Sequence, residues 1–535
     1  TYKVENKSCL TAAIQPKTIT MPNRSTDALF QLVHSMQKSE KRNFKLYIKR
    51  NSSNDDLKIV QLFDALDKLS EYDDATVLKK VPAIKKQQLS NIKAHLYKQL
   101  LASLRLLENG ANIDIQLREQ MDHARILYNK GLYLQSLRIL ERLKEQARQY
   151  NQVSLLVQVL SLEKHIESLH ITRSLANRAT QLSAEAQNVA ECLLLVTQLS
   201  NLALQLYGWY INNGHARNKE DEETLTQYFK ENLPKNLPEQ PTFYQKLYLY
   251  QCYCWYAFIR QDFLMYYRYT QKWVDLFNAQ PPMIDVETAH YIKGMHNLLN
   301  ALFSLRNYNK FDDTLKQFES FADSTTVNRN DNNAIQVFVY LYTSKINQHF
   351  IHGTFKKGLS LVPEIEEKLE EYTLHLDRHR VLVFYYKIAS LYFGSGNYDK
   401  TIDYLNKIIN WKVDLRNDLQ CYARLLHLIA HYELGNYDLL EYLTRSVYRF
   451  MAKMQNLSVV EEEILQFLRQ SFRISARQLK PAFEKLLQKL KMLQKNHFEA
   501  RAFAYLDIVS WLESKVSGEP LDQLLRNRYL QSKKS

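Results

Sequence analysis

The tetrapeptide Gly396-Asn397-Tyr398-Asp399 returns 39 residues later as Gly435-Asn436-Tyr437-Asp438, inside the stretch Val381–Phe450. Ahead of the first copy, Tyr385, Ile388, Ala389 and Tyr392 recur three and four residues apart, the spacing of one buried helical face. Behind it, Ile402, Leu405 and Ile408 begin a second apolar face. Each copy therefore reads as two helices of about a dozen residues facing each other across a tight turn.

The pattern continues upstream. Gly131-Leu132-Tyr133 separates Ile126-Leu127-Tyr128 from Leu137, Leu140 and Leu143. Between this turn and the opening pair, turns are expected near Thr172, Gly214, Gln261, Asn309 and Gly353, at the intervals of helix-pair repeats. A long surface connection is expected after Gly214, because Asn218–Glu223 inserts a charged stretch and Pro234, Pro238 and Pro241 follow. Composition also favours long helices: 11 Gly and 11 Pro in 535 residues is far below the usual shares of roughly 7% and 5%. A chain of this length exceeds one compact core, so several domains or one elongated array is expected.

At these residues the chain resembles the tetratricopeptide-repeat family. The match runs through Tyr385, Ile388, Ala389 and Tyr392 in a first helix, then Gly396, Tyr398, Thr401 and Ile402 at the turn and second helix. The Gly131 unit repeats it with Ala124, Leu127, Tyr133, Ser136 and Leu137. The resemblance implies an all-α fold, a right-handed α-solenoid of helix hairpins over residues 111–455. Most units exceed the family's period of about 34 residues, and His431 stands at an aromatic position, so longer helices are implied.

The flanks differ. Residues 1–24 read as a flexible extension, with 1–20 expected to be a tag, an upstream extension or a processed end. Residues 25–110 read as a basic helical domain, with helices over Thr26–Arg50, Leu57–Leu69 and Gln87–Leu107 and a boundary near Gly110. Residues 456–535 read as a helical cap, its first helix opened by Ser458 and Glu461 at capping-box spacing. The formal charge of +14 is concentrated at the two ends of the chain.

No phosphate-binding Gly-x-Gly-x-x-Gly or Gly-x-x-x-x-Gly-Lys-Ser/Thr occurs, nor a Gly-x-Ser-x-Gly elbow, which weighs against nucleotide-dependent enzymes and common hydrolases. His427 and His431, like His375 and His379, have helical metal-ligand spacing but no third ligand in sequence. Cys252 and Cys254 point about 200° apart on a helix, so they cannot share an ion unaided. No catalytic residue, metal or cofactor is expected. The five scattered cysteines fit a reducing compartment, and no run of eighteen apolar residues or apolar signal core appears, so a cytoplasmic protein without a membrane span is expected.

Aromatics make up 12% of the chain, with 35 tyrosines. Registered by their turns, Tyr248, Trp255, Phe258, Phe303, Tyr340, Phe350, Tyr386, Phe393, Tyr422 and Tyr432 fall on the first-helix face that lines the concave groove in the resembling family. Such rings suit a binding surface, although a stripe at helical spacing equally suits core packing. The first expectation is a non-enzymatic scaffold or adaptor holding a protein or peptide segment there. The alternative is a regulator whose basic N-terminal unit meets nucleic acid or an acidic partner through Lys41, Arg42, Lys45, Lys49 and Arg50, interleaved with Phe44 and Tyr47.

Overall fold

The computed structural model describes residues 27–50, 56–108, 112–170, 177–373, 375–411, 417–454, 457–471, 474–496, 498–499, 503 and 507–533. Among them the fold is all-α, without strands, and its helices pack in neighbouring pairs. The chain divides into two compact units, Thr1–Asp122 and His123–Ser535.

The first unit contains α1 (Ala28–Ser35), α2 (Lys38–Arg50), α3 (Asp56–Asp67), α4 (Asp74–Lys80), α5 (Lys86–Glu108) and the start of α6 (Ile113–Asn129). Asp27 caps α1 by accepting from the Leu29 and Phe30 amides at 3.0 and 3.2 Å, meeting two donors that have no intrahelical partner. The core closes on fully buried Phe44, Leu62, Phe63, Leu66, Leu96 and Leu100, with the Phe44 and Phe63 rings 4.9 Å apart. Asp73 starts α4, its carboxylate accepting from the Thr76 amide at 2.8 Å.

The second unit begins with α7 (Tyr133–Gln149), α8 (Val153–His170), α9 (Arg178–Asn213) and α10 (Lys219–Asn232). It continues through α11 (Phe243–Ile259), α12 (Phe263–Ala279), the short α13 (Pro282–Val286), α14 (Thr288–Ser304), α15 (Tyr308–Ala322) and the short α16 (Thr325–Asn328). Then come α17 (Asp331–His352), α18 (Phe355–Gly358), a 3₁₀ turn at Leu359–Leu361, α19 (Val362–Glu371), α20 (Arg378–Ser395), α21 (Tyr398–Ile409), α22 (Asn417–Glu433) and α23 (Tyr437–Lys453). The last helices are α24 (Val459–Ser471), α25 (Ala476–Leu493), α26 (Ile508–Ser517) and α27 (Leu521–Ser532).

A common turn chemistry joins several of these pairs. A residue in the left-handed region closes the first helix, at Gln261 (φ 59), Arg306 (φ 51), Gly396 (φ 85) and Gly435 (φ 73). An Asp or Asn follows each one: Asp262, Asn307 and Asn397 cap the next helix through their side chains, accepting from the Met265, Lys310 and Lys400 amides. The expected turn at Asn309 therefore sits three residues earlier, and Asn309 lies inside α15. The expected turn at Thr172 lies outside the described residues.

Two expectations change. Asn218–Glu223 starts a helix: Asn218 accepts from the Asp221 amide at 2.8 Å, and Glu220, Asp221 and Glu222 occupy the first turn, where the helix dipole favours negative charge. The helix α9 runs 36 residues without interruption, and by length and composition alone it is apolar enough to cross a membrane. One side of it, Leu195, Leu199, Leu202 and Leu206, packs into a core with Cys252 and Tyr256 of α11. Leu194, Leu204 and Ile211 are exposed.

A buried ion cluster ties α7 to its neighbours. Lys144 and Glu163, each 2% exposed, pair at 3.1 Å, while Arg178 also reaches Glu163. Mutual pairing is what makes burial of these charges tolerable.

In the C-terminal segment α24 and α25 pack in order after α23, and α26 and α27 then run back along earlier turns. Arg306 pairs with Asp507 at 3.2 Å, and Tyr529 donates to Asp312 at 3.3 Å with its ring 4.0 Å from His352 and 5.4 Å from Tyr308. Trp511 Nε1 donates to Glu433 at 2.6 Å. A cavity of about 330 Å³ lies between the α20–α21 turn and this segment, lined by Phe393, Tyr398 and Trp511 among others.

A cationic candidate site on α14, α17 and α20

The first helices α14, α17 and α20 pack against one another in order. Residues seven apart on a helix share a face, and three such pairs meet here: Lys293 with Asn300, Tyr340 with Asn347, and Arg380 with Lys387. Lys293 Nζ and an Arg380 terminal nitrogen both donate to Tyr340 Oη, at 3.5 and 3.3 Å. The same cations lie 5.0 and 5.2 Å from the Tyr340 ring centroid, within cation–π range. His296, one turn along from Lys293, stacks on that ring with centroids 4.2 Å apart. Lys387 donates to Asn347 Oδ1 at 2.6 Å and lies 5.6 Å from the Phe350 ring.

The electrostatics follow from this placement. Burial alone would raise the Tyr340 pKa, but Lys293 and Arg380 outweigh it and hold the phenol below its ordinary value. Burial pushes His296 well below its ordinary pKa, helped by Lys293, Lys387 and Arg380, so the ring is neutral at pH 7. Burial also brings the Lys387 ammonium down to about 8. Among the described residues, the carboxylate bonded to any of these three cations is Asp377, which accepts from Arg380 Nε at 3.1 Å.

The aromatic residues singled out from sequence divide into two groups. Tyr386, Phe393, Tyr422 and Tyr432 are 6%, 7%, 1% and 6% exposed, and they belong to the core. This corrects their assignment to an open groove. Long first helices are flanked by preceding and following helices as well as by their own partners, so rings at these positions are enclosed. Phe393 meets Tyr398 and Tyr432 meets Phe483 and Trp511, while buried Tyr422 donates to buried Glu461 at 2.8 Å.

The other six, Tyr248, Trp255, Phe258, Phe303, Tyr340 and Phe350, are partly exposed. Trp255 lies 5.0 Å from Tyr207, Phe258 lies 5.2 Å from Tyr210, and Tyr248 meets His290 edge-on at 5.9 Å. Tyr340 and Phe350 are brought to the cationic face; Tyr248, Trp255 and Phe258 sit together on α11. Phe303 packs against the core that Phe277, Leu298 and Phe311 form between α12, α14 and α15.

Of the basic residues in the first unit, Lys41 and Lys45 are held by Asp67 and Asp64, each at 2.7 Å. Arg42, Lys49 and Arg50 are exposed on α2. Cys252 and Cys254 are buried in α11, and burial drives the Cys252 thiol up to about 12. His427 and His431 lie 4.5 Å apart, with His431 bonded to Asn436 at 3.0 Å. Among the described residues, no three His, Cys, Asp or Glu side chains gather as metal ligands.

Sequence reading passed over Lys293, Arg380 and Lys387. The signal was there, in cations set on apolar first helices at matching registers: Tyr340 and Arg380 are 40 residues apart, as are Asn347 and Lys387.

No protein-family model matches the chain, and no curated protein matches it. The likeness to tetratricopeptide repeats therefore rests on the hairpin residues themselves.

Proposed function

We propose that the protein is a non-enzymatic adaptor: a tetratricopeptide-like, right-handed α-solenoid of the cytoplasm that holds a protein or peptide segment against its first helices. The observation carrying this reading is the face shared by α14, α17 and α20, where Lys293 and Arg380 flank partly exposed Tyr340 and Lys387 lies farther along beside Asn347, with little acidic compensation. Stacked first helices offer a continuous surface to a linear segment, one set of side chains per unit. Rings with polar tips and unneutralised cations give that surface both area and direction.

The test is affinity capture by the full chain from its native cell, set against Tyr340→Ala and the double variant Lys293→Gln, Lys387→Gln. Loss of a reproducible partner at unchanged melting temperature supports the reading. Identical capture by all three proteins would overturn it.

A second reading draws on α2. Its exposed Arg42 and Lys49 are seven residues apart on one side, with Arg50 adjoining, so the N-terminal unit would meet nucleic acid or an acidic partner there.

A further inference from the structure

We propose that the face where Lys293, Tyr340, Arg380 and Lys387 converge binds a phosphate monoester or inorganic phosphate. This deepens the adaptor reading and rests on it where the phosphate is carried by a partner.

The first argument is the number of donors left over. Tyr340 Oη already accepts from Lys293 and Arg380, and its own proton has no acceptor among the described residues. Asn300 Nδ2 lies 2.9 Å from His296 Nε2; with the amide donating, the neutral ring carries its proton on Nδ1, and buried Nδ1 has no partner. Lys293 makes one hydrogen bond of the three its ammonium can give. A buried donor such as His296 Nδ1 is seldom left unmet, and with the spare donors of half-buried Tyr340 and Lys293 beside it the face points to an acceptor-rich occupant.

The second argument is charge. Three cations face one carboxylate, exposed Asp377, which is bonded to Arg380 through Nε and leaves a terminal nitrogen directed at Tyr340. A carboxylate brings one charge and two oxygens. A phosphate monoester brings about −1.5 to −2 and three strong acceptor oxygens, which matches an ammonium, a guanidinium and a phenol on adjacent helices. Lys387, two turns along beside Asn347, adds longer-range attraction and a place for whatever carries the phosphate.

The experiment is titration of the full chain at constant ionic strength, read by ³¹P line broadening and by thermal shift. The probes are inorganic phosphate, a phosphoserine peptide, its unphosphorylated form, and acetate. Saturable binding of phosphate or phosphopeptide, weakened about tenfold or more by Lys293→Gln or Arg380→Gln, is expected. Equal affinity for both phosphates identifies a free ligand; preference for the peptide identifies a partner-borne group; either supports the proposal.

No saturable ³¹P broadening of inorganic phosphate or phosphopeptide with the wild-type chain overturns it, and this readout needs no variant to fold. Binding of acetate and the unphosphorylated peptide without phosphate also overturns it, while leaving the adaptor reading standing. Identical partner capture by the wild type and its Tyr340 and lysine variants, alongside intact phosphate binding, would instead remove the adaptor reading alone.

Discussion

Tyr386, Phe393 and Tyr432 show how one helical spacing serves two purposes. Each is nearly enclosed, so removing its ring costs transfer energy and leaves a cavity, about 3–5 kcal/mol for a large aromatic. A domain's whole stability is roughly 5–15 kcal/mol, so the triple alanine variant is expected to lose its helical circular dichroism signal at 25 °C. A folded triple variant with a near-native melting temperature would return these rings to the surface. In contrast, Tyr340→Phe keeps the ring and should leave stability within about 1 kcal/mol, since its hydroxyl accepts from two partly exposed cations that water can also solvate.

His427 makes a second residue-scale prediction. Burial, then His431 and Arg424, lower its pKa from 6.5 to about 4. The unfolded chain therefore takes up a proton at higher pH than the folded one, and stability is full above pH 6.5 and falls as the pH drops toward 4. By pH 5 the loss from this group is on the order of 2 kcal/mol. Urea titrations at pH 7 and pH 5 should show that difference shrink in His427→Gln; an unchanged difference would mean the ring is not enclosed as described.

At the scale of elements, glycine separates a turn that is merely tight from one that is covered. Gly353 and Gly396 both hold left-handed backbone, with φ of 64° and 85°. A Cβ on Gly396 would meet nothing within 4 Å, whereas on Gly353 it would lie 2.4 Å from the Arg526 amide nitrogen and 2.6 Å from the Asp522 carbonyl oxygen, both in α27. Gly396→Ala should cost about 1–2 kcal/mol for conformation alone. Gly353→Ala should cost about 1–3 kcal/mol more, because α27 must shift, and hydrogen exchange in residues 521–532 should accelerate only there. Equal effects at the two sites would show that α27 does not rest on the Gly353 turn.

These elements also mark what the sequence could reveal. The turns at Gln261, Gly396 and Gly435 were legible because a hairpin needs a breaker between two apolar faces, and the sequence displays it. The unbroken α9 was not, since apolar residues at helical spacing fit one long helix or two equally well. The Asn218–Glu223 run resembled a solvated connection, yet acidic residues just after an Asn are also the chemistry of a helix start. The return of α26 and α27 depends on pairs such as Arg306 with Asp507 and Asp312 with Tyr529, some 200 residues apart, for which no local pattern exists. The cationic site was half legible: Tyr340 was named from its register, while its cations were seen only once three helices were side by side.

At the scale of the whole molecule, the charge of +14 matters less than how much of it is free to act. In α2, Asp67 and Asp64 hold Lys41 and Lys45, leaving Arg42, Lys49 and Arg50 exposed, so a polyanion would gain about three phosphate contacts rather than five. Counterion release then sets the salt dependence: with a slope of about −0.9 per contact, affinity should fall about fortyfold between 50 and 200 mM salt. Retention of the full chain on duplex DNA, measured across that range, reads the slope directly. The triple variant Arg42→Glu, Lys49→Glu, Arg50→Glu should abolish retention, while Lys293→Gln should leave it intact, because the second unit's cations recognise a single anion rather than a spaced row of phosphates. No retention at 50 mM removes the nucleic-acid reading, and a slope shared by both sets of variants would mean that diffuse charge, not α2, does the binding.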